Sequence, residues 1–408
     1  MNDTMKNTNN IDNTMNNNKE PDDFFEDVKE GCDSFDNMDL NPNILRGIYG
    51  YGFERPSGIQ QKAIGAFLTR RDIVAQSQSG TGKTGAFTIG CLSCIDPKKD
   101  ELQAIILSPT RELAEQTKTV FDHISKFVGV NTFLCIGGTN SRDDITYLRR
   151  NTVHVLIGTP GRTIDMLRKG AINKHSITML ILDEADELLS YGFKEQMYDV
   201  VTELTNRDLQ ICIFSATIPN DVLDLTQKFM RKPLRILVKN DEITLDGIKQ
   251  FYVNCAEDKW KLDVVLDLYK TFTLAQTILY VNSRKMCEWL ADMLSKNNYA
   301  VSYIHGKMAP DERNRIIANF RRGDSKILIS TDLLARGIDV QQVSLIVNFE
   351  LPREQENYIH RIGRSGRFGR KGVAINICSN QDMPKINDLV KFYSTQIDEM
   401  PENIADLL

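Results

Sequence analysis

Short apolar runs that end in polar or glycine-rich clusters recur along this chain in two series. The first series comprises DIVAQSQSG, AIILSPT, TFLCIGG, VHVLIGTPG, MLILDEAD and ICIFSAT, and the second comprises ILYVNSR, VSYIHG, ILISTD, LIVNFELP and VAINIC. Unbroken apolar runs of about four to six residues are typical of parallel strands covered on both faces. The two series therefore predict two buried parallel sheets.

Amphipathic segments lie between these runs. In RELAEQTKTVFDHISKF, Leu113, Val120, Ile124 and Phe127 approximate the apolar stripe of a helix. Strands that alternate with helices predict doubly wound α/β domains. Because open α/β sheets bind ligands at the carboxyl ends of their strands, the polar clusters mark two candidate binding edges.

The chain length of 408 residues suits two domains. We predict a first domain over residues 34–238, a linker over 239–247 in a polar stretch, and a second domain over 248–408. Residues 1–33 are predicted to be a disordered leader, since the first 20 residues contain eight Asn and almost no large apolar residue. The acidic end of this leader contains Phe24, Phe25 and Val28, and it is either solvated or binds a protein partner.

The overall charge excludes a broadly basic nucleic-acid binder, because the net charge is −5 and the pI about 5.7. Any RNA binding must rely on local patches and backbone N–H groups. The chain has no apolar run of about 18 residues and no apolar secretory segment. Its eight Cys are scattered, so we expect a reduced, intracellular protein.

A glycine-rich segment ending in GKT follows the first predicted strand and opens a helical pattern. Such a loop points several N–H groups at phosphate oxygens, next to a helix N-terminus. Lys83 would approach the β- and γ-phosphates, and the Thr84 hydroxyl would ligate Mg²⁺. The alternative is a glycine-rich turn with a chance GKT. The candidate phosphate-binding residues are Ser77, Gln78, Ser79, Gly80, Thr81, Gly82, Lys83 and Thr84.

The acidic cluster Asp183-Glu184-Ala185-Asp186 follows the buried strand LIL. Asp183 at the strand end is placed to hold Mg²⁺, and Glu184 to orient and deprotonate the attacking water. An acidic tetrapeptide alone is usually a solvated helix start, but the upstream phosphate loop favours catalysis. By contrast, Cys91 and Cys94 form a CxxC without further ligands, and we interpret them as buried small side chains. His154 and His175 are interpreted as structural.

The ordered set of motifs resembles the DEAD-box RNA helicases. The motifs are GFERPSGIQ at 52–60, PTRELA at 109–114, GG at 137–138, TPGR at 159–162, DEAD at 183–186, SAT at 215–217, STDLLARGID at 330–339 and HRIGRSGRFGR at 360–370. The resemblance implies two RecA-like lobes and covers about residues 33–408. It also implies ATP and Mg²⁺ as cofactors and RNA as the partner.

For the nucleotide, the resemblance implies that Gln60 pairs with adenine and that Phe35 stacks on the base, although Phe35 also suits a core position. Arg55 lies in the same motif, and Asp339 would contact the ribose. Arg364 and Arg367 would be arginine fingers from the second lobe, worth about 10³–10⁵ in rate. Coupling between the lobes is implied for Asp186, Ser215, Thr217, His360 and Arg361.

The RNA contacts implied by the resemblance are hydroxyls, backbone N–H groups and arginines, which position a strand without reading its sequence. In the first lobe they are Pro109, Thr110, Arg111, Gly137, Gly138, Thr159, Gly161 and Arg162. In the second lobe they are Arg284, Gly306, Arg313, Thr331 and Asp332. Pro310 stands where the family usually carries Gln, which puts the Arg313 contact in doubt.

Within the family, ILRGIYGYGF at 44–53, RILVKNDEITLDGIKQF at 235–251 and FYSTQIDEMPENIADLL at 392–408 resemble the initiation factor 4A branch. The tail leans toward its nuclear, exon-junction type. Three hypotheses follow: a cytoplasmic, monomeric RNA helicase of translation initiation, an ATP-locked nuclear RNA clamp held by protein partners, and a DNA helicase. The last is weakest, because the chain has no basic extension.

Overall fold

The structure is a computed structural model that describes residues 25–28, 31–77, 80–189, 193–237, 248–271, 276–332, 343–363 and 372–401. These residues form two α/β lobes. Lobe 1 contains the strands between residues 26 and 237, and lobe 2 contains those between 248 and 399. The prediction of two parallel-sheet α/β domains is confirmed.

The first sheet has eight parallel strands in the order β1-β8-β2-β7-β6-β3-β5-β4. The strands of lobe 1 are β1 (Glu26–Asp27), β2 (Ile73–Gln76), β3 (Ala104–Leu107), β4 (Thr132–Cys135), β5 (Val155–Gly158), β6 (Met179–Asp183), β7 (Gln210–Ser215) and β8 (Leu234–Leu237). Its helices are α1 (Pro42–Tyr51), α2 (Gly58–Leu68), α3 (Lys83–Cys94), α4 (Arg111–Ser125), α5 (Ser141–Arg150), α6 (Pro160–Arg168), α7 (Ala185–Leu188), α8 (Lys194–Glu203) and α9 (Asn220–Phe229).

The central strands of lobe 1 are buried on both faces. Every residue of β3, β5 and β6 is buried, and their alternate side chains enter two separate apolar clusters. Ile106 and Ile181 belong to one cluster, while Ile105 and Leu180 belong to the other. This arrangement explains the unbroken apolar runs, because a strand with helices on both sides has no face for polar residues.

Helix starts are fixed by local chemistry. The Thr110 side chain caps α4 by accepting a hydrogen bond from the Leu113 N–H at 3.2 Å. Leu113, Val120 and Ile124 are buried along the predicted stripe of α4. The apolar side of α4 therefore packs on the sheet, and its first turn lies at the carboxyl ends of the strands.

The second sheet has seven parallel strands in the order β11-β12-β10-β13-β14-β9-β15. The strands of lobe 2 are β9 (Ile248–Asn254), β10 (Gln276–Tyr280), β11 (Val301–Ile304), β12 (Ile327–Ser330), β13 (Val343–Asn348), β14 (Gly372–Cys378) and β15 (Asp398–Glu399). Its helices are α10 (Lys261–Thr271), α11 (Arg284–Lys296), α12 (Pro310–Arg322), α13 (Glu356–Ile362) and α14 (Met383–Tyr393).

Part of the predicted leader is folded, which corrects the prediction of disorder up to residue 33. Strand β1 pairs with β8, and Phe25 and Val28 pack against the lobe 1 core. Asp27 forms an ion pair with Arg235 at 2.6 Å, so the acidic residues dock on basic ones instead of remaining solvated. The linker prediction over 239–247 falls outside the described residues, and the domain limits otherwise remain predictions.

Candidate functional site

The phosphate loop lies between β2 and α3. Gly80 and Gly82 have φ angles of 86° and 96°, which side chains rarely tolerate, and α3 begins at Lys83. The buried Ser77 hydroxyl lies 2.6 Å from that of Thr81 and closes the loop across its base. Ser77 therefore fits the loop by hydrogen bonding. Gln78 and Ser79 lie outside the described residues.

Gln60 joins α2 to the phosphate loop. Its Oε1 accepts a hydrogen bond from the Ser57 N–H at 3.0 Å, and its Nε2 donates to the Gly82 carbonyl at 3.2 Å. A Cβ on Gly82 would lie 2.7 Å from Gln60 Nε2, so the loop needs glycine there. A primary amide has two N–H donors and two acceptor lone pairs. After these two bonds, Gln60 retains one donor and one acceptor that can pair with adenine.

The aromatic residues near Gln60 differ from the prediction. Phe35 is fully buried and packs on Phe53 with ring centroids 6.5 Å apart, which favours the core interpretation of Phe35 over stacking on the base. Phe53 is only partly buried and reaches the first turn of α3, where a Cβ on Gly85 would lie 2.8 Å from its ring. The sequence carries no signal for Phe53, because its position beside Gln60 and the phosphate loop arises only from the fold.

Buried charges gather at the end of β6. Asp183, Glu184, Asp186 and Lys83 are each no more than 6% exposed, and Lys83 Nζ lies 3.3 Å from Glu184 Oε2. Burial and the neighbouring Glu184 carboxylate raise the pKa of Asp183 to about 7. Glu184 also has a left-handed backbone, with φ 51°, which non-glycine residues adopt at a cost.

This cluster fits a divalent cation. Three buried carboxylates lie near one lysine, so the site carries excess negative charge. Burying unbalanced charge is unfavourable, and a bound cation would offset it. The half-buried Thr84 hydroxyl follows Lys83 in α3, and hydroxyl and carboxylate oxygens are suitable ligands for Mg²⁺. Thr84 and Asp183 stay the predicted ligands, and the structure also brings ligand atoms of Glu184, Asp186 and His360 within 4.8 Å of one another.

Asp186 connects the DEAD motif to both the SAT motif and lobe 2. Its N–H donates to the Ser215 hydroxyl at 3.1 Å, and its Oδ2 accepts from the Thr217 hydroxyl at 2.8 Å. The same oxygen accepts from His360 Nε2 of lobe 2 at 3.1 Å, with both side chains buried. The structure thus brings together four of the five residues predicted to couple the lobes.

Arg361 is the exception. Its guanidinium is fully buried inside lobe 2, where it donates to Asp332 at 2.5 Å, to the Glu350 carbonyl at 2.7 Å and to Asn282 at 2.7 Å. These donors are used by lobe 2 acceptors, so the described contacts place Arg361 within lobe 2, and its role in coupling the lobes stays a prediction. Arg361 holds Asp332 in place.

A groove of about 860 Å³ runs between the lobes and brings together most of the predicted RNA contacts. We call it the interlobe groove. The predicted residues that line it are Pro109, Thr110, Arg111, Gly137, Thr159, Gly161, Arg162, Gly306, Arg313 and Asp332. Other lining residues are Glu112, Asp165, Glu187, Phe193, Gln196 and Asn357.

Two arginines in the groove are held rigidly by lobe 1. Arg111 lies against the paired glycines, and a Cβ on Gly138 would come within 2.6 Å of its guanidinium. Arg162 donates to the Thr139 carbonyl at 2.8 Å and pairs with the Asp144 carboxylate. These contacts fix where each guanidinium can meet a phosphate.

Arg313 is engaged in an ion pair that the sequence did not suggest. Its Nη1 lies 2.8 Å from Oε1 of Glu112 in lobe 1, and both side chains are 8% exposed. Arg313 therefore joins the two lobes at the wall of the groove, with a carboxylate that was missed because it lies in the middle of PTRELA.

Several predicted residues are not brought into the site by the described contacts. Arg284 is half exposed and lies 3.7 Å from Glu288, Arg55 is exposed, and Thr331 and Gly138 do not line the groove. Arg364, Arg367 and Asp339 lie outside the described residues. Arg364 and Arg367 follow Gly363, directly after the helix that carries His360.

Other predictions concern residues away from the site. Cys91 is buried and Cys94 partly buried, each as a free thiol. His154 accepts a hydrogen bond from the Asn131 N–H at 2.9 Å, as expected of a structural residue. Among the described helices, none is long and apolar enough to cross a membrane.

Comparison with known proteins agrees with this geometry. The chain matches the DEAD/DEAH box helicase family over residues 57–225 and the helicase conserved C-terminal domain over residues 260–369. Eukaryotic initiation factor 4A-3 of Arabidopsis thaliana is 50% identical over 385 residues, which cover 94% of this chain and 92% of the relative. This chain is a member of the initiation factor 4A family of DEAD-box helicases. The resemblance predicted from the motifs is confirmed.

A second relative of this DEAD-box helicase is the ATP-dependent RNA helicase eIF4A of Schizosaccharomyces pombe, with 52% identity over 379 residues, or 93% of this chain and 96% of the relative. Among solved structures, S. cerevisiae Dbp5 bound to RNA and ADP BeF3 matches with a TM-score of 0.85 and 35% identity. The match covers 92% of this chain and 97% of that one, so both lobes and their relative placement are shared.

Proposed function

We propose that this chain is an ATP-dependent RNA helicase whose lobes close on ATP and one strand of RNA. The observation that carries the proposal is the buried hydrogen bond from His360 of lobe 2 to Asp186 of the DEAD motif. It joins the hydrolytic centre of lobe 1 to lobe 2, and the Arg313–Glu112 ion pair joins the same lobes at the wall of the interlobe groove. Closure of the lobes can therefore couple ATP and RNA.

In the ATP site, the phosphate loop and Lys83 bind the triphosphate, and Gln60 selects the base. Glu184 lies beside Lys83 and acts as the base that orients and deprotonates water. Thr84 and Asp183 hold Mg²⁺, which when bound supplies stabilisation of charge on the phosphates. Arg364 and Arg367 provide the further positive charge from lobe 2, and Asp339 contacts the ribose.

In the groove, the hydroxyls of Thr110 and Thr159, the glycine backbone and the fixed arginines bind phosphate and sugar, so binding is independent of sequence. Contacts to the 2′-OH favour RNA over DNA. Closure shapes one strand so that its partner no longer pairs, and hydrolysis reopens the cleft. The chain thus separates short duplexes.

The experiment measures ATP hydrolysis with no nucleic acid, with single-stranded RNA and with DNA of the same length and sequence. We expect strong stimulation by RNA and little by DNA. Equal hydrolysis under all conditions contradicts the proposal. Equal stimulation by DNA and RNA favours instead a helicase acting on DNA.

For the pathway, the identity to relatives named eIF4A supports a monomeric, cytoplasmic factor in translation initiation. The similar identity to the relative named initiation factor 4A-3 supports a second candidate, a nuclear RNA clamp held closed by protein partners. Localising a tagged chain and isolating what copurifies with it separates the two. Ribosomal subunits in the cytoplasm favour the first, and a long-lived nuclear RNA–protein complex favours the second.

A further inference from the structure

An exposed aromatic ring on lobe 1 has no role in the activity described above. Tyr147 lies on α5 and is 45% exposed. Its ring stacks on Phe133 of β4, with centroids 5.1 Å apart and an angle of 24° between the planes. Phe133 in turn packs against the lobe 1 core. Tyr147 therefore presents an exposed aromatic ring that is supported from behind by Phe133, and a nucleobase can stack on such a ring.

Polar and basic residues surround this ring. A cleft of about 660 Å³, here called the side cleft, is lined by Asp122, Ser125, Lys126, Gly129, Val130, Asn131, Thr132, Tyr147, Arg150, Asn151 and Thr152. Its one carboxylate, Asp122, is already engaged by Lys118 at 2.5 Å and by the Thr132 hydroxyl at 2.5 Å. The side cleft therefore presents cations, amides and hydroxyls, and almost no apolar lining.

The cations along α5 have no ion pairs in the described part of the chain. Arg142, Arg149 and Arg150 are exposed on the helix, and Lys126 is exposed at the rim of the side cleft. Exposed arginines and lysines of this kind can bind phosphates without first breaking a salt bridge. This face is locally basic even though the net charge of the chain is −5.

Helix α5 connects the side cleft to the interlobe groove. Near its start, Asp144 pairs with Arg162, which lines the groove, and its last residue, Arg150, lines the side cleft. A helix of 10 residues is about 15 Å long, a distance that a few nucleotides of an extended strand can cover. The exposed Arg142, Arg149 and Arg150, with Asp143 among them, thus lie on a helix that runs from one cleft to the other.

We propose that RNA leaving the interlobe groove on the lobe 1 side follows α5 and stacks a base on Tyr147, while Arg150 and Lys126 bind its phosphates. The proposal rests on the proposed RNA helicase function and extends its binding site. A single strand fits better than a peptide, because an aromatic face beside free cations matches bases and phosphates, and the side cleft offers no apolar pocket for side chains.

The test measures the affinity of the full chain for oligouridines of increasing length, in the presence of a non-hydrolysable ATP analogue. The short probe is the shortest oligouridine that fully stimulates ATP hydrolysis. We expect Tyr147→Ala to weaken binding of longer probes by about fivefold or more and to leave the short probe unchanged. Arg150→Ala should lower the salt dependence for longer probes by about 0.7 in slope.

Tyr147→Phe keeps the stacking ring and should bind like the unaltered chain, whereas Arg70→Glu, an exposed charge change elsewhere on lobe 1, should have no length-dependent effect. Longer probes that bind no better than the short one, or that bind Tyr147→Ala as well as the unaltered chain, overturn the proposal. Failure of the proposed function looks different, because then even the short probe neither binds nor stimulates hydrolysis.

Discussion

The two lobes have similar sheets but contribute to the site in different ways. Lobe 1 assembles its part internally: Gln60 bonds the phosphate loop, Lys83 pairs with Glu184, and Ser215 and Thr217 hold Asp186. Lobe 2 contacts this assembly through His360, while its Arg361 is buried within lobe 2 and bonds Asp332 of the groove wall. From this difference we predict that lobe 1 binds ATP on its own, whereas turnover depends on the position of lobe 2.

The largest expected effect is a loss of ATP hydrolysis when the catalytic base of lobe 1 is removed. Glu184→Gln removes the base but keeps the size of the side chain, so hydrolysis should fall by about 10²–10⁴. ATP binding, measured with a fluorescent analogue, should persist. Asp100→Asn, the same kind of carboxylate-to-amide change at an exposed position before β3, serves as the control. Full turnover in Glu184→Gln would remove the assignment of the base.

The next effect concerns the contact between the lobes. Arg313→Ala leaves Glu112 buried and unpaired in the closed state, and losing one partner of such a pair costs about 2–5 kcal/mol. RNA affinity in the presence of an ATP analogue should therefore drop about 30-fold or more. ATP affinity without RNA should not change.

A double-mutant cycle separates the ion pair from direct RNA binding by Arg313. If the pair matters, Glu112→Ala with Arg313→Ala should bind RNA better than Arg313→Ala alone, because no unpaired charge remains. Strictly additive losses would indicate that Arg313 acts on RNA independently of Glu112.

A smaller effect is expected for the bond between His360 and Asp186. His360→Ala should reduce the mutual strengthening of ATP and RNA binding by about tenfold, within the usual range of coupling energies. Binding of each ligand alone should be close to normal. Coupling measured by titrating RNA at several ATP analogue concentrations checks this, and unchanged coupling would exclude His360 as the link.

A separate effect, on folding stability instead of ligand binding, compares Asp183 with its neutral analogue in the ligand-free protein. Burial raises the pKa of Asp183 from 3.8 to about 7, so the folded state disfavours the ionised form. The resulting loss of stability is absent below pH 3.8, grows as the pH rises to about 7 and is constant above it. Asp183→Asn should raise the melting temperature, increasingly so over that window. A gain independent of pH would contradict this origin.

Sequence patterns predicted most of the fold because buried parallel strands are unbroken apolar runs. The missed strands lack that pattern. Strands β1 and β15 have two residues each, too few for any periodicity. Arg235 interrupts β8, and β9 carries Lys249, Gln250 and Asn254 among its apolar residues. Strand β1 was also hidden by its acidic composition, which is offset by Arg71 and Arg235 on lobe 1.

The site was predictable where its chemistry is contiguous in sequence, as in the phosphate loop and the DEAD motif. It was not predictable where two lobes meet. Glu112 and Arg313 are far apart in the chain, and only their placement in space makes them a pair. The lobe 2 partners of Arg361 were hidden for the same reason, since an arginine in a basic motif gives no sign of the acceptors buried around it.

The central claim is that ATP and RNA together close the two lobes. The most direct measurement is the distance between fluorescent labels on exposed sites of lobe 1 and lobe 2, recorded with neither ligand, each alone and both. We predict that most molecules show a short distance between the labels only when both ligands are bound. In His360→Ala, the short-distance population should be much smaller. A distance that does not respond to the ligands, or that shortens equally in His360→Ala, would contradict the account.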